Sequence, residues 1–363
     1  MSLAVDARLL AGHPRGMGQY GRALLRPVAS QALHLLPATH AGPASGPVLR
    51  AGHAFEPWWE QCVLPSLVRR AGVDALLCPA NTAPVLLSRK TRLILVVHDL
   101  IYMEPLSTLP LSRSAYQNMG RLYRRLVVPR AIRAAHRIVV VSAFTGGQLQ
   151  QRFGVAPERI TLIPNSVDEA WFADAPVPEA ERGAYLLAVA GEAPSKNLPG
   201  LLQAFARLVR HGDGMADVSL RVAGVKPDFH AAYLAQARRL GLQGRVVFEG
   251  PVPTEELRRL YRHARGFVMP SLFEGFGIPL IEAMASGTPV ACSATTSMPE
   301  VAGGCAWLFD PRDPNDMAKA LLAMLQDTDA RVRYVREGLM QARRYGRAIV
   351  NESIERFWNS VHA

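Results

Sequence analysis

The sequence predicts an α/β protein made of two doubly wound, Rossmann-like domains facing a central cleft. Two observations predict it. Short apolar runs of strand-forming residues recur along the chain between helical stretches, the pattern of parallel sheets with helices on both faces. The same pattern occurs once in each half, and 363 residues are long for a single core.

In the first half, strands are expected at residues 3–6, 32–36, 75–78, 93–97, 138–141 and 161–163. In the second half they are expected at 185–190, 219–223, 246–248, 266–269, 289–292 and 306–309. The junction falls near Pro164-Asn165-Ser166-Val167-Asp168, which gives domains 1–168 and 169–344, and residues 173–182, rich in Pro, Ala and Glu, read as a surface linker. Doubly wound sheets bind ligands at the carboxyl ends of their strands, so two facing domains create a cleft.

Composition narrows the class. Nearly half the residues are hydrophobic (49%), as in a chain that is globular throughout. Cys62, Cys78, Cys292 and Cys305 show no metal-type spacing and read as reduced core thiols of a cytoplasmic protein. No signal-peptide core follows Met1, and no apolar run reaches membrane-spanning length.

The formal charge of +11 is unevenly placed. Residues 1–170 hold 19 Lys and Arg against 9 Asp and Glu (net +10), and residues 171–363 hold 22 against 21 (net +1). Much of the excess lies between Arg113 and Arg137, where Arg121, Arg124, Arg125, Arg130 and Arg133 alternate with apolar residues and Pro129 is expected to divide two helices. Nucleic-acid binding is disfavoured, because no zinc spacing, helix-turn-helix pattern or stacking motif accompanies the charge. Peripheral contact with an anionic membrane and an ordinary helix packed on its own sheet are the two readings that stand.

The most specific stretch is Pro270 to Gly303. Gly266 to Ser271 reads as a buried parallel strand, so the loop that follows emerges at its carboxyl end. Gly275 and Gly277 leave backbone N–H groups unobstructed, Pro279 suits the start of a helix, and Gly287 stops it. A phosphate over this turn would meet free N–H groups and the positive end of the helix dipole. Glu274 could accept hydrogen bonds from sugar hydroxyls, and Glu282, a turn into the helix, could take two from a ribose diol. Either glutamate alone reads more simply as a solvated or dipole-complementing residue. The whole string, through Gly287-Thr288-Pro289, does not.

That string resembles the signature of the retaining glycosyltransferases of family 4, two glutamates separated by seven residues in this setting. The resemblance implies the two-domain GT-B fold, with a last helix, here within 345–363, crossing back to the first domain. It implies that Glu274 contacts hydroxyls of the transferred sugar and Glu282 holds the nucleotide ribose. Gly275, Phe276 and Gly277 would then lie by the sugar and diphosphate, and the base would sit near Glu249-Gly250-Pro251-Val252. Lys196, in Pro194-Ser195-Lys196-Asn197, can neutralise diphosphate charge as the sugar bond breaks. The arginine that many relatives place beside this lysine is missing between Arg182 and Arg207, and Arg15 is a candidate to complete the clamp.

In the first domain, Gly16-Met17-Gly18-Gln19-Tyr20-Gly21 matches the dinucleotide fingerprint by letter. A long loop from Asp6 and the absence of an acidic residue between Asp6 and Glu56 argue against it. By resemblance, the loop with Gly16 and Gly18 closes over diphosphate and acceptor. His98 and Asp99 follow a strand at its carboxyl end, where the alternative is a packed histidine fixed by a neighbour. With Trp59-Glu60-Gln61 and 79–84 they are similar to a subgroup of bacterial mannosyltransferases, which implies a catalytic His98 beside the donor sugar and an Asp99 touching sugar or acceptor.

The function expected is retaining transfer of a hexose, foremost mannose from GDP-mannose, to a lipid-linked bacterial glycan of O-antigen, lipopolysaccharide or exopolysaccharide type at the cytoplasmic membrane face. Domain closure would assemble the site. Other UDP-, GDP- or ADP-sugars such as rhamnose or glucose donors, and a GT-B sugar-nucleotide epimerase, are the alternatives. No cofactor and no obligatory metal are expected, since Asp327-Thr328-Asp329 reads as a polar turn.

Overall fold

The computed structural model of the chain describes residues 1–12, 16–40, 45–111, 114–210, 215 and 217–362. It divides into two compact units, residues 1–104, 113–165 and 348–363 in the first and 105–112 and 166–347 in the second.

The first unit is built on a parallel sheet of β1 (Leu3–Asp6), β2 (Leu33–Pro37), β3 (Val48–Ala51), β4 (Ala75–Cys78), β5 (Arg92–Val97), β6 (Arg137–Val140) and β7 (Ile160–Leu162), in the order β3-β2-β1-β4-β5-β6-β7. The second is built on β8 (Gly183–Val189), β9 (Ser219–Ala223), β10 (Val246–Gly250), β11 (Ala264–Met269), β12 (Val290–Ser293) and β13 (Trp307–Phe309), also parallel, in the order β10-β9-β8-β11-β12-β13. The central strands are apolar on both faces because helices cover both. Leu76, Leu95 and Val97 lie in one core, Val222, Val268 and Phe309 in the other. The strand order reverses between β1 and β4 and between β8 and β11, which makes these pairs the switch points where open α/β sheets accept ligands.

Four features differ from the sequence reading. The edge strand β3 was not anticipated, because Val48-Leu49-Arg50-Ala51 is short and half-exposed and lacks an apolar run. Pro129 does not divide its helix, which runs unbroken over Ala115–Ala134. Proline there costs about 3 kcal/mol, yet Val127, Val128, Ala131 and Ile132 are buried and hold the helix in place. Cys62 is exposed rather than a core thiol, since the π-helical turn Trp59–Val63 directs Trp59 and Glu60 inward instead. The linker, exposed at its centre, is pinned at both ends: Ala173 N–H donates to Ala285 O, and the Arg182 guanidinium donates to the carbonyls of Arg262, Ala264 and Gly287.

The last helix, Arg347–His362, belongs mostly to the first unit and buries Val350, Ile354, Phe357 and Trp358, with Trp358 Nε1–H donating to Leu24 O at 2.7 Å.

Candidate active site

In the second unit the polar groups gather where the strand order reverses. Lys196 ends a 3-10 turn, Pro194–Lys196, after β8, and Glu274 lies in the loop after β11. Their side chains meet, Nζ to Oε1 at 2.7 Å, both partly buried. The two loops are tied by backbone and side chain. Leu272 N–H donates to Ser195 O at 2.7 Å, and Asn197 Nδ2 donates to the carbonyls of Pro270 (3.1 Å) and Pro311 (2.7 Å). Asn197 does so from the left-handed region, φ 50°, which asparagine tolerates better than most residues.

The Glu274 loop is held from its far side by residues that sequence reasoning missed. Glu274 N–H donates to Thr296 Oγ1 at 3.2 Å, and the Ser297 hydroxyl lies 3.0 and 2.9 Å from the carbonyls of Glu274 and Phe276, sharing its one proton between them. Thr296 adopts φ 58°, which for a β-branched residue stores strain of roughly 1–3 kcal/mol. Phe276 contributes no side chain to the opening, because its ring is buried edge-on against Tyr345. Gly277, at φ 104°, then starts the helix Ile278–Ala285 that carries Glu282. Glu282 accepts a hydrogen bond from the Tyr261 hydroxyl at 3.3 Å, and burial pushes its carboxyl up to about 7. Glu249, at the end of β10, pairs with Arg221 at 2.6 Å.

In the first unit, His98 follows β5 and is buried. Its backbone N–H donates to Asn81 Oδ1 at 2.7 Å, and its ring packs edge-on against Tyr20, whose hydroxyl is anchored on Ile163 O. Nε2 lies 2.9 Å from Pro79 O. A carbonyl only accepts, so Nε2 carries the proton and Nδ1 presents a lone pair. Burial lowers the imidazole to about 4, which keeps it neutral near pH 7. The His98 ring therefore presents an acceptor nitrogen and is not a cation near pH 7. Asp99 Oδ1 accepts from Ile101 N–H at 3.1 Å and lies 3.5 Å from the donor Asn81 Nδ2.

The loop that positions His98 is braced by a buried network. Glu60 accepts hydrogen bonds from the hydroxyls of Thr82 and Tyr123 and from Gln61, while Gln61 accepts one from Val85 N–H. Burial raises the Glu60 carboxyl to about 7. Trp59 Nε1–H donates to Asp6 at the end of β1, 3.0 Å away.

Gly16, at φ 49°, and buried Gly18 open the helix Met17–Leu25, and a Cβ on Gly21 would strike Pro79 and Leu10. This spacing thus serves backbone geometry and close packing, after a long excursion from β1. Arg15 lies outside the described residues. Asp327 caps the helix Thr328–Arg343 through Ala330 N–H.

Two doubly wound units, each with polar groups at the carboxyl ends of its switch-point strands, define the GT-B architecture. The chain belongs to the family 4 glycosyltransferases: residues 184–327 match the family model for glycosyl transferases group 1, and residues 20–171 match that for glycosyltransferase family 4. It is 30% identical over 231 residues to the O-antigen chain mannosyltransferase B of Escherichia coli, covering 61% of this chain and 60% of that one. It is 29% identical over 215 residues to the O-antigen chain mannosyltransferase RfbU of Salmonella typhimurium, covering 59% and 58%. The matches thus span about three fifths of these curated relatives. The crystal structure of Anabaena Alr3699/HepE in complex with UDP-glucose shares the fold, with a TM-score of 0.73 at 18% identity over 99% of this chain and 100% of that one.

Proposed function

We propose that the protein is a retaining mannosyltransferase that moves mannose from GDP-mannose to a hydroxyl of a lipid-linked bacterial glycan. The observation that carries the reading is the Lys196–Glu274 pair at the β8/β11 switch point, with Glu282 on the following helix. Lys196 leaves Glu274 to neutralise the diphosphate as the glycosidic bond lengthens, and Glu274 turns to sugar hydroxyls. Glu282 takes the ribose diol. The departing β-phosphate accepts the acceptor's proton on the face where the new bond forms, so the configuration is retained without an enzymatic nucleophile. Lys196 and the helix amino end carry the charge that a metal would otherwise carry, so the reaction needs no resident metal. The mannose and the glycan acceptor are inferred from the two O-antigen mannosyltransferase relatives.

Action at the cytoplasmic membrane face has its own support. The helix Ala115–Ala134 leaves Tyr116, Met119, Leu122 and Leu126 exposed beside Arg125 and Arg130, a surface suited to lying on an anionic bilayer. No helix among the described residues is long and apolar enough to cross one.

A panel of GDP-, UDP- and ADP-sugars followed by calorimetry tests the reading. GDP-mannose is expected to bind most tightly. Because ionised Glu282 can accept both diol protons, whereas its acid form keeps fewer acceptor sites and adds a donor, affinity should weaken as pH falls through about 7. Glu282→Gln should flatten that slope. Absence of binding by every sugar nucleotide would end the proposal.

A further inference from the structure

At the amino ends of β5, β6 and β7 a second cavity, of about 750 Å³, opens in the first unit. It lies at the opposite end of β5 from His98, roughly 20 Å away by strand rise. Arg92 and Arg137 are the first residues of β5 and β6, and Arg159 immediately precedes β7. Arg89 comes from the loop before β5, Arg133 from the last turn of the helix Ala115–Ala134, and His136 from the link to β6. Glu158 is the one acidic residue of the lining. Leu87 and Leu93 contribute apolar lining.

Part of this charge has a structural task. Arg159 donates to the carbonyls of Ile132, Arg133 and Ala135, closing the carboxyl end of the helix, and Arg137 donates to Glu158 O at 2.7 Å. Arg89, Arg92 and Arg133 have no such task, making no side-chain hydrogen bond or ion pair among the described residues. Asp74, near Arg92, is already bound to the backbone N–H and hydroxyl of Ser2. The imidazole of His136 is held below its ordinary value by burial and by the fields of Arg92, Arg137 and Arg159. Three uncommitted guanidiniums around one concavity present positive charge that an external anion would neutralise. Guanidiniums match the oxygens of phosphate in a bidentate fashion.

We propose that this cavity is a phosphate-binding site, separate from the donor site, which takes the phosphate group of a soluble ester or of a lipid headgroup. The site stands independently of the transferase reading, since it uses none of the groups assigned to transfer.

The test reads the His136 ring by proton NMR, its signal assigned with His136→Gln, while the full chain is titrated with inorganic pyrophosphate or with monomeric dihexanoylphosphatidylglycerol at low ionic strength. At least one probe should shift the signal saturably and raise the His136 titration midpoint, because a bound anion offsets the arginine field. Arg92→Glu/Arg133→Glu, at two exposed positions, should weaken that binding by about tenfold or more while leaving donor turnover unchanged. Lys196→Ala should leave the His136 shift intact, which separates this site from the donor site. A response to pyrophosphate shows that a soluble phosphate suffices, and a response to the lipid alone identifies a headgroup. No saturable shift with either probe, or equal affinity in the double variant, would overturn the proposal.

Discussion

Glu274→Ala is expected to lower kcat by about 10²- to 10³-fold while leaving the Kd for the nucleoside diphosphate within a few-fold of wild type. The asymmetry follows from what Glu274 touches. Its carboxylate is paired with Lys196 at 2.7 Å in the free protein and is proposed to hold sugar hydroxyls in the complex. Removing it deprives the sugar of an acceptor and leaves Lys196 free for the diphosphate. The loop should survive, because its position depends on backbone bonds to Thr296 and Ser297 rather than on the carboxylate. Glu274→Gln, which keeps the shape and one acceptor oxygen, should fall between the two. Turnover measured beside calorimetric binding checks this, and parallel loss of both would show that Glu274 does no more than support the fold.

Lys196→Ala is expected to fail in a different pattern. Among the described residues, Lys196 is the side-chain cation at the switch point proposed to meet the leaving diphosphate, so kcat should drop by about 10²-fold or more. Affinity for the nucleoside diphosphate should weaken by about tenfold or more, and affinity for the nucleoside alone should be unchanged. Lys196→Arg should restore binding more than turnover, because a planar fork cannot follow a shifting point of charge as an ammonium does. Equal weakening toward nucleoside and diphosphate would place the damage in the loop. Asn197, Leu272 and Ser195 hold that loop by contacts the lysine does not make.

Much of this arrangement was legible because it is local. Apolar runs marked the central strands, and Glu274, Gly277 and Glu282 lie within nine residues, where strand end, left-handed turn and helix start follow from residue type. The strand order explains why Lys196, 78 residues away from Glu274, reaches it, since β8 and β11 are neighbours in the sheet. The bracing residues were not legible. Thr296, Ser297, Tyr261 and Asn197 act across 21 to 114 residues, and nothing in their immediate surroundings distinguishes them from ordinary turn or helix positions. Asn197 is the exception, an asparagine closing the turn Pro194–Lys196 where a left-handed residue is useful. The neutral state and tautomer of His98 depend on Pro79 O and on burial, both consequences of packing. Pro129 shows the reverse error: a strong local rule gave way to the buried face on which its helix rests.

The central claim is transfer of a hexose from a sugar nucleotide, and the mass of the product tests it most directly. Purified protein, GDP-mannose and a lipid-linked glycan acceptor are predicted to yield the acceptor enlarged by one hexose, with stoichiometric release of GDP, and Glu274→Ala is predicted to yield almost none. If no GDP-, UDP- or ADP-sugar enlarges any hydroxyl acceptor while the protein remains folded, the account is contradicted.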